Sequence, residues 1–259
     1  MSNDNSLVSI ITPMYKGARF VVDTINSVLN QDYLNWEMII VDDCSPDNGA
    51  GIKIVKSFVE KDDRIRLIKL NRNRGSSGAR NVGINNANGR YICLLDSDDF
   101  WDSTFLSSQY DFLTKKDAAL VYSSYRRVDE DGKKEIFSPV IVHEKVNYRK
   151  YLMTYEIGCL TVLYDTKKIG KRYLNEGQGS IRDDTALWLS ILKDIDCFYG
   201  NPKILATYRV VNGSATNNKM KLIRPQWKLY REIERLSFLT SCFYFLCWSI
   251  SGCLKYRKL

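Results

Sequence analysis

Residues 91–101 read YICLLDSDDFW, an apolar run that passes directly into three carboxylates. Five β-prone residues between Gly89 and an acidic turn are typical of a strand buried on both faces. Open α/β sheets bind ligands beyond the carboxyl ends of their strands, which is where Asp96, Asp98 and Asp99 would lie. We therefore expect a binding site at the end of this strand.

The acidic turn has two interpretations. Three carboxylates within four residues repel one another unless a cation or a donor-rich ligand lies between them. Oxygen ligands favour Mg²⁺ or Mn²⁺ over zinc, and Mg²⁺ is usually held by one or two carboxylates plus substrate phosphates. The first hypothesis is therefore a metal-bridged site for a nucleoside diphosphate. The alternative is a solvated turn that caps the next helix, since Ser, Asp and Asn favour turns and N-caps.

The composition narrows the class of protein. The 259 residues can bury a full core, and 44% apolar with 26% charged residues argue against a disordered chain. A net charge of +8 predicts anionic partners, but the scattered basic residues form no nucleic-acid-binding signature.

Seven single cysteines indicate reduced thiols in a cytosolic setting, and one histidine excludes a multi-His metal site. The polar N-terminus lacks the apolar region of a signal peptide.

The first hundred residues alternate between strand and helix patterns. We predict strands at 7–12, 36–41, 65–70 and 91–95, and helices at 20–29, 52–59 and about 77–87. Pro13 is expected to stop the first strand. The alternation indicates βαβ units in a parallel sheet, whose right-handed crossovers place the carboxyl ends of the strands on one edge. That edge would carry residues 13–15, Asp42, Asp43, the 72–80 loop and residues 96–99.

The 72–80 loop contains Gly75 and Gly78 but matches neither a P-loop nor a dinucleotide fingerprint. With Arg72, Arg74 and Arg80 around a helix start, it would hold an anion through backbone N–H and guanidinium groups. The alternative is a Gly-rich turn with solvated arginines.

The second half is less regular. We predict strands at 118–124, 161–164 and 204–210, a turn at 129–132 and a loop at 173–179. Asp183 and Asp184 precede an apolar helix at 186–192. This acidic pair also has a purely structural explanation, because carboxylates cap a helix start and complement its dipole. No Pro/Gly/Ser-rich linker divides the chain.

The C-terminal segment has a basic helical pattern at 221–235 and an apolar, aromatic one at 238–254, followed by Lys255, Arg257 and Lys258. The second pattern would form a helix roughly 25 Å long, whereas spanning a bilayer takes ~20 residues, or about 30 Å of helix. Flanking cations and aromatic residues favour a helix lying at the headgroup boundary of a membrane. The alternative is a helix docked on the catalytic domain or on a partner chain.

Several motifs in order resemble those of family 2 glycosyltransferases: VSIITPMY at 8–15, SVLNQ at 27–31, IIVDDCS at 39–45, NRG at 73–75, GARN at 78–81, GRYI at 89–92 and DSDD at 96–99. The later half matches more loosely, through Asp183, Asp184 and Trp188. The resemblance implies an α/β GT-A fold, a mostly parallel sheet flanked by helices. It divides the chain into a GT-A domain at 1–218 (nucleotide-binding half 1–100, acceptor-binding half 101–218) and basic, aromatic C-terminal helices at 219–259. The narrower likeness is to bacterial transferases of surface polysaccharide assembly, of teichuronic-acid type.

The resemblance implies a UDP-sugar site. Its residues would be Thr12, Pro13, Tyr15, Asp42, Asp43, Asn73, Gly75, Arg80, Asp96, Ser97 and Asp98. Asp43 would accept from the uracil N–H, Pro13 and Tyr15 would contact the base, and Arg80 would reach the diphosphate or ribose. The D-x-D carboxylates Asp96, Asp98 and Asp99 would hold Mn²⁺ or Mg²⁺.

The resemblance also implies an inverting transfer with Asp184 as the general base and Asp183 as the second candidate, because Asp183 replaces the more usual Glu of a Glu-Asp pair. The expected partners are a UDP-sugar donor, a saccharide or lipid-linked acceptor, and a membrane surface contacted through residues 221–259. The expected location is cytoplasmic, peripheral to the inner face of the cell membrane. No nucleic acid is expected, and an oligomer is left open.

Two other functions compete with this one. A sugar-1-phosphate nucleotidyltransferase would also use a doubly wound sheet and a metal, but it needs a Gly-rich basic loop directly after the first strand, and none is present. A non-catalytic, nucleotide-binding protein at the membrane is disfavoured by the intact Asp98, Asp99 and Asp184.

Overall fold

The computed structural model describes residues 6–154, 156–176, 182–211 and 220–255. The strands are β1 (Val8–Met14), β2 (Trp36–Asp42), β3 (Ile65–Lys69), β4 (Tyr91–Leu94), β5 (Phe100–Trp101), β6 (Leu120–Val128), β7 (Glu135–Val140), β8 (Lys145–Val146), β9 (Leu163–Asp165) and β10 (Phe198–Arg209). The helices are α1 (Val21–Leu29), α2 (Ala50–Val59), α3 (Gly75–Asn85), α4 (Phe105–Lys115), α5 (Tyr148–Met153), α6 (Thr166–Ile169), α7 (Asp183–Ile191), α8 (Met220–Lys228) and α9 (Phe238–Lys255). A π-helical turn (Leu229–Ile233) follows α8.

The predicted elements of the first hundred residues are confirmed with small shifts at their ends. Later elements differ more, since the last predicted strand begins at Phe198 and residues 159–161 form a 3₁₀ turn rather than the start of β9. The predicted loop at 173–179 is described only to residue 176, and the proposed boundary at 218/219 lies outside the described residues.

One sheet contains the ten strands in the order β3-β2-β1-β4-β9-β6-β10-β5, with β7 beside β6 and β8 beside β10. The first four strands are parallel, as predicted. Strand β9 is antiparallel to both β4 and β6, so β6 and its parallel neighbour β10 point the same way as β1–β4. Strands β1–β4, β6 and β10 therefore end on one side of the sheet, which we term the carboxyl edge.

Pro13 does not stop the first strand, and that prediction is wrong. Strand β1 continues to Met14, and Pro13 pairs in register with Val41 of β2. Pairing of β1 with β4 ends at Ile11, so the side of Pro13 that lacks an N–H points past the last residue of β4. A proline is tolerated in a strand where no ladder hydrogen bond is required.

The core consists of two apolar layers, one on each face of the sheet. Alternating strand residues separate into these layers, because Ile10 packs with α1, α2 and α4, and Ile11 packs with α3 and α7. The contact between α3 and β1 is so close that a Cβ on Gly83 would lie 2.3 Å from a methyl carbon of Ile11. This close packing sets the position of α3 above the carboxyl edge.

The C-terminal helices pack onto the same body. Leu229 and Tyr230 of the π-helical turn are fully buried, and the Tyr230 hydroxyl donates to the Leu152 carbonyl at 2.6 Å. Among the described helices, none combines the length and the apolar character needed to cross a bilayer.

Candidate active site at the carboxyl edge

The acidic turn after β4 is held by residues from two other elements. The Thr24 hydroxyl of α1 donates to the carbonyls of Ser97 (3.0 Å) and Asp99 (2.8 Å). From the end of β10, the backbone N–H of Arg209 donates to Asp99 Oδ1 at 2.9 Å, and Arg209 Nε donates to the Asp98 carbonyl at 2.9 Å. Asp99 is therefore buried and turned toward β10, whereas Asp98 is partly exposed.

The turn carries more negative charge than its surroundings compensate. Burial, together with repulsion from Asp96, raises the pKa of Asp98 to about 6, although Arg209 and Arg80 oppose the shift. Burial and the two neighbouring carboxylates also raise the pKa of Asp99 well above its usual value. Each shift means that the folded chain alone disfavours the ionised form, so a nearby cation would be stabilised.

These carboxylates fit a hard divalent cation that also takes ligands from a substrate. Within residues 6–154, 156–176, 182–211 and 220–255, no group of three or more His, Cys, Asp or Glu side chains is arranged to hold a metal by itself. Asp99 is buried and accepts from the Arg209 N–H, whereas Asp98 and Asp96 are half-buried, with Asp96 Oδ1 accepting from Arg80. One or two carboxylates completed by phosphate oxygens and water are the usual ligands of Mg²⁺ in proteins.

The predicted nucleotide-binding residues lie at neighbouring strand ends. Asp43 follows β2, and its Oδ1 accepts from the backbone N–H of Arg74 at 2.7 Å. Asn73 Nδ2 donates to the Asp43 carbonyl at 3.2 Å, and Gly75 begins α3 with a φ of 72°. Burial raises the pKa of Asp43 even though the backbone N–H groups of Arg74 and Gly75 oppose the shift. The 73–75 loop is thus attached to the end of β2, and α3 begins two residues before the predicted start.

Three buried polar atoms at this edge have no hydrogen-bond partner among the described residues: Thr12 Oγ1, Asp42 Oδ1 and Arg80 Nε. Native structures leave few such atoms, and each one calls for a partner such as a ligand or water. Tyr15, just after β1, is 48% exposed, while Pro13 is buried. This arrangement suits a polar ligand with a planar group, and the binding roles of these residues stay a prediction.

Two arginines of the 72–80 region pair with carboxylates of the chain, and their binding of an anion stays a prediction. Arg74 pairs with Glu176 at 2.7 Å, and Arg80 pairs with Asp96 at 2.5 Å. Burial disfavours the charge of Arg80, but Asp96 and Asp184 more than offset this and raise its pKa. The fold therefore supplies each of these two guanidinium groups with a carboxylate partner, although Arg80 Nε has no partner among the described residues.

The acidic pair predicted as catalytic begins α7. Asp183 is buried, and its Oδ2 accepts from the Ser77 hydroxyl of α3 at 2.5 Å. Burial raises the pKa of Asp183, with Ser77 opposing and Asp184 adding to the shift. Asp184 is half-buried, and its Oδ1 accepts from the backbone N–H of Thr185 at 2.7 Å. Asp184 is thus the more accessible carboxylate of the pair.

Helix α3 connects the three acidic groups. Its start binds Asp43, Ser77 binds Asp183, and Arg80 interacts with both Asp96 and Asp184. The fold therefore brings the ends of β2 and β4 and the start of α7 around one helix.

Sequence reasoning missed three residues of this site: Thr24, Ser77 and Arg209. None stands in a motif that indicates its partner, since each contacts a residue more than seventy positions away. Of the three, only Arg209 could have been predicted from the sequence, because a cation at the end of the last predicted strand would lie at the same edge of the sheet as the acidic turn.

We expect Arg209→Ala to lower the rate of the reaction at this site by about 100-fold, because misplacing a reacting group by about 1 Å has that effect. Arg209 is 4% exposed, donates to Glu130 and Asp23 as well as to Asp98, and stacks beside Phe20 and Phe100. Arg209→Lys keeps the positive charge but loses the planar set of guanidinium N–H donors, so we expect a rate between those of the wild type and Arg209→Ala.

The matched control for this prediction is Arg126→Ala, which removes another arginine paired with a carboxylate, Asp102, but without a contact to the turn. Steady-state kinetics and thermal unfolding of each variant provide the comparison. Wild-type rates in a folded Arg209→Ala variant would contradict the positioning role.

The profile described as "Glycosyl transferase family 2" matches residues 9–176 of the chain. "Putative teichuronic acid biosynthesis glycosyltransferase TuaG" of Bacillus subtilis (strain 168) is 40% identical over 248 residues, which cover 94% of this chain and 95% of that protein. "UDP-Glc:alpha-D-GlcNAc-diphosphoundecaprenol beta-1,3-glucosyltransferase WfgD" of Escherichia coli is 33% identical over 260 residues, 98% of this chain and 96% of that one.

Solved structures with the same fold include S. aureus TarS 1-349 in complex with UDP-GlcNAc, with a TM-score of 0.68 at 18% identity over 92% of this chain and 70% of that chain. Mannosyltransferase PcManGT from Pyrobaculum calidifontis, in complex with GDP-Man and Mn²⁺, has a TM-score of 0.66 at 15% identity, and the match covers 95% of this chain and 73% of that chain. The GT-A architecture predicted from the sequence is therefore confirmed.

Proposed function

The chain belongs to glycosyl transferase family 2, and from this premise we propose an inverting, metal-dependent transfer of a sugar from a UDP-sugar. The acceptor is a saccharide or lipid-linked saccharide in the synthesis of a bacterial surface polysaccharide. The convergence of Asp43, Asp98 and Asp184 around α3, whose Arg80 interacts with both Asp98 and Asp184, is the observation that carries the proposal.

The donor side of the reaction uses residues at the ends of β1, β2 and β4. Tyr15 stacks on the uracil, and Asp43 accepts from its N–H. The unpartnered atoms of Thr12 and Asp42 supply further polar contacts to the nucleoside. Asp98 and Asp96 would hold Mn²⁺ or Mg²⁺, which supplies Lewis-acid stabilisation of the charge on the departing diphosphate when it is bound.

The acceptor side uses the start of α7. A sugar hydroxyl is a poor nucleophile, and Asp184 accepts its proton as the hydroxyl oxygen attacks the anomeric carbon. Attack on the face opposite the diphosphate inverts the configuration at that carbon. Asp183 is buried against Ser77, so we assign it the role of fixing the helix start that presents Asp184.

The names of the relatives support the type of acceptor. The name of WfgD specifies UDP-Glc as donor and a sugar diphosphoundecaprenol as acceptor, and that of TuaG places it in teichuronic acid biosynthesis. A lipid-linked acceptor lies at a membrane, so we propose that the protein is peripheral to the inner face of the cell membrane.

We expect UDP-sugars, but not GDP- or dTDP-sugars, to raise the unfolding temperature of the purified protein in the presence of Mn²⁺. A donor at about 100 times its Kd stabilises the folded state by about 2.7 kcal/mol.

We also expect EDTA to lower sugar transfer about 100-fold and added Mn²⁺ to restore it. Full activity in EDTA would contradict metal dependence, and release of pyrophosphate from a nucleoside triphosphate would indicate a nucleotidyltransferase instead.

A further inference from the structure

Helix α9 presents a row of exposed apolar side chains to solvent. Leu239 is 80% exposed, Phe243 57%, Leu246 62% and Ile250 55%. Their spacings of four, three and four residues place them on one face of the helix. We refer to these four residues as the apolar row.

The opposite face of α9 is docked on the protein. Ser241 is fully buried, Tyr244 lies 6.3 Å from Tyr230 between ring centroids, and Phe245 lies 5.8 Å from Trp227. Both sides of the helix are thus apolar, but packing within the chain covers only one. An exposed contiguous apolar surface of this kind marks an interaction site.

Basic side chains lie on the helix that packs beside α9. Arg224, Lys228 and Arg231 are exposed and share a face of α8 and the π-helical turn with Trp227. Trp227 packs edge-on against Phe238 and Phe245 of α9, so this basic face lies beside α9. One exposed carboxylate, Glu232, lies 3.7 Å from Lys228. The sequence after α9 adds Arg257 and Lys258.

We propose that the apolar row lies in the surface of an anionic lipid bilayer, with α9 parallel to the membrane plane. Apolar and aromatic side chains beside cations are the chemistry of helices that lie at the boundary between headgroups and acyl chains. Anionic headgroups attract each nearby Lys or Arg. A second copy of the chain fits less well, since a two-fold contact through the apolar row would bring two basic faces together.

The proposal also orients the active site. Trp248 of α9 lies 5.1 Å from the guanidinium of Arg182, which immediately precedes Asp183 and Asp184. Trp248 is on the docked side of the helix, so a membrane-bound α9 would lie between the lipid surface and the start of α7, separating them by one helix diameter (~10 Å). An acceptor sugar attached to a lipid would be presented on this side, and this consequence alone rests on the proposed function.

Flotation of the purified protein with vesicles tests the proposal. We expect the protein to float with vesicles of equal parts phosphatidylcholine and phosphatidylglycerol, and only weakly with pure phosphatidylcholine. The double variant Phe243→Ser/Leu246→Ser is expected to lower the partition coefficient about 100-fold, roughly tenfold for each apolar side chain. The charge variant Arg224→Glu/Arg231→Glu should weaken binding to anionic vesicles without changing binding to neutral ones.

The matched control is Leu34→Ser/Ile141→Ser, which removes two equally exposed apolar side chains (70% and 60%) elsewhere and should bind as the wild type does. Equal flotation of the α9 variant and the wild type would overturn the proposal. So would a wild-type dimer, seen by light scattering without lipid, that the α9 variant converts to a monomer. Donor hydrolysis by the same preparations separates the two ideas, because its absence defeats the proposed function and leaves vesicle binding unaffected.

Discussion

We expect Asp184→Asn to transfer sugar about a thousandfold more slowly than the wild type, within the range seen when a general base is removed. Asparagine keeps the shape of the side chain and an oxygen that accepts from the Thr185 N–H, so the start of α7 should remain in place. What is lost is the ability to accept a proton from the acceptor hydroxyl. Donor binding should change less than about twofold, so the loss should appear in kcat rather than in the KM for the donor.

Asp183→Asn is the matched control for this prediction. It alters the neighbouring carboxylate, which is buried and accepts from Ser77, so we expect a loss of about tenfold or less. Single-turnover transfer and thermal unfolding of both variants decide the assignment. If Asp183→Asn were the inactive variant and Asp184→Asn nearly wild type, the two roles would have to be exchanged.

The second large effect is expected for Asp98→Asn, which should lower transfer about a thousandfold. Stabilising the charge of a departing diphosphate is worth several kcal/mol, and about 4 kcal/mol corresponds to this factor. The substitution removes the charge of the carboxylate that we assign to the cation, while its backbone carbonyl still accepts from Arg209. The concentration of Mn²⁺ needed for half-maximal activity should rise at the same time.

Stability separates this effect from simple damage to the fold. Asp98 is repelled by Asp96, so Asp98→Asn should unfold at the same temperature as the wild type or a higher one. Asp111→Asn, which neutralises an exposed carboxylate on α4, is the matched control and should leave transfer unchanged. A folded Asp98→Asn variant with normal Mn²⁺-dependent transfer would contradict the assignment of Asp98 as a metal ligand.

The local patterns predicted most of the nucleotide-binding half. Alternating strand and helix signals indicated a parallel sheet, and chain connectivity then placed Asp43 and Asp98 on one edge. Pro13 was misjudged because its effect depends on the neighbouring strand: β4 pairs only as far as Ile11, so the missing N–H has no consequence. The second half was harder, since β9 reverses direction within the sheet and β5 and β8 are only two residues long.

The sequence by itself determined the order of the elements in the first hundred residues, the family and which residue types could carry the chemistry, because short motifs and apolar spacing are local properties. Only the tertiary structure decided how the charges are distributed among partners. Arg209 reaches Asp98 across 111 positions and Ser77 reaches Asp183 across 106, and no local pattern encodes such pairs. It likewise decided that one apolar face of α9 is covered and the other exposed, since that depends on what packs against the helix.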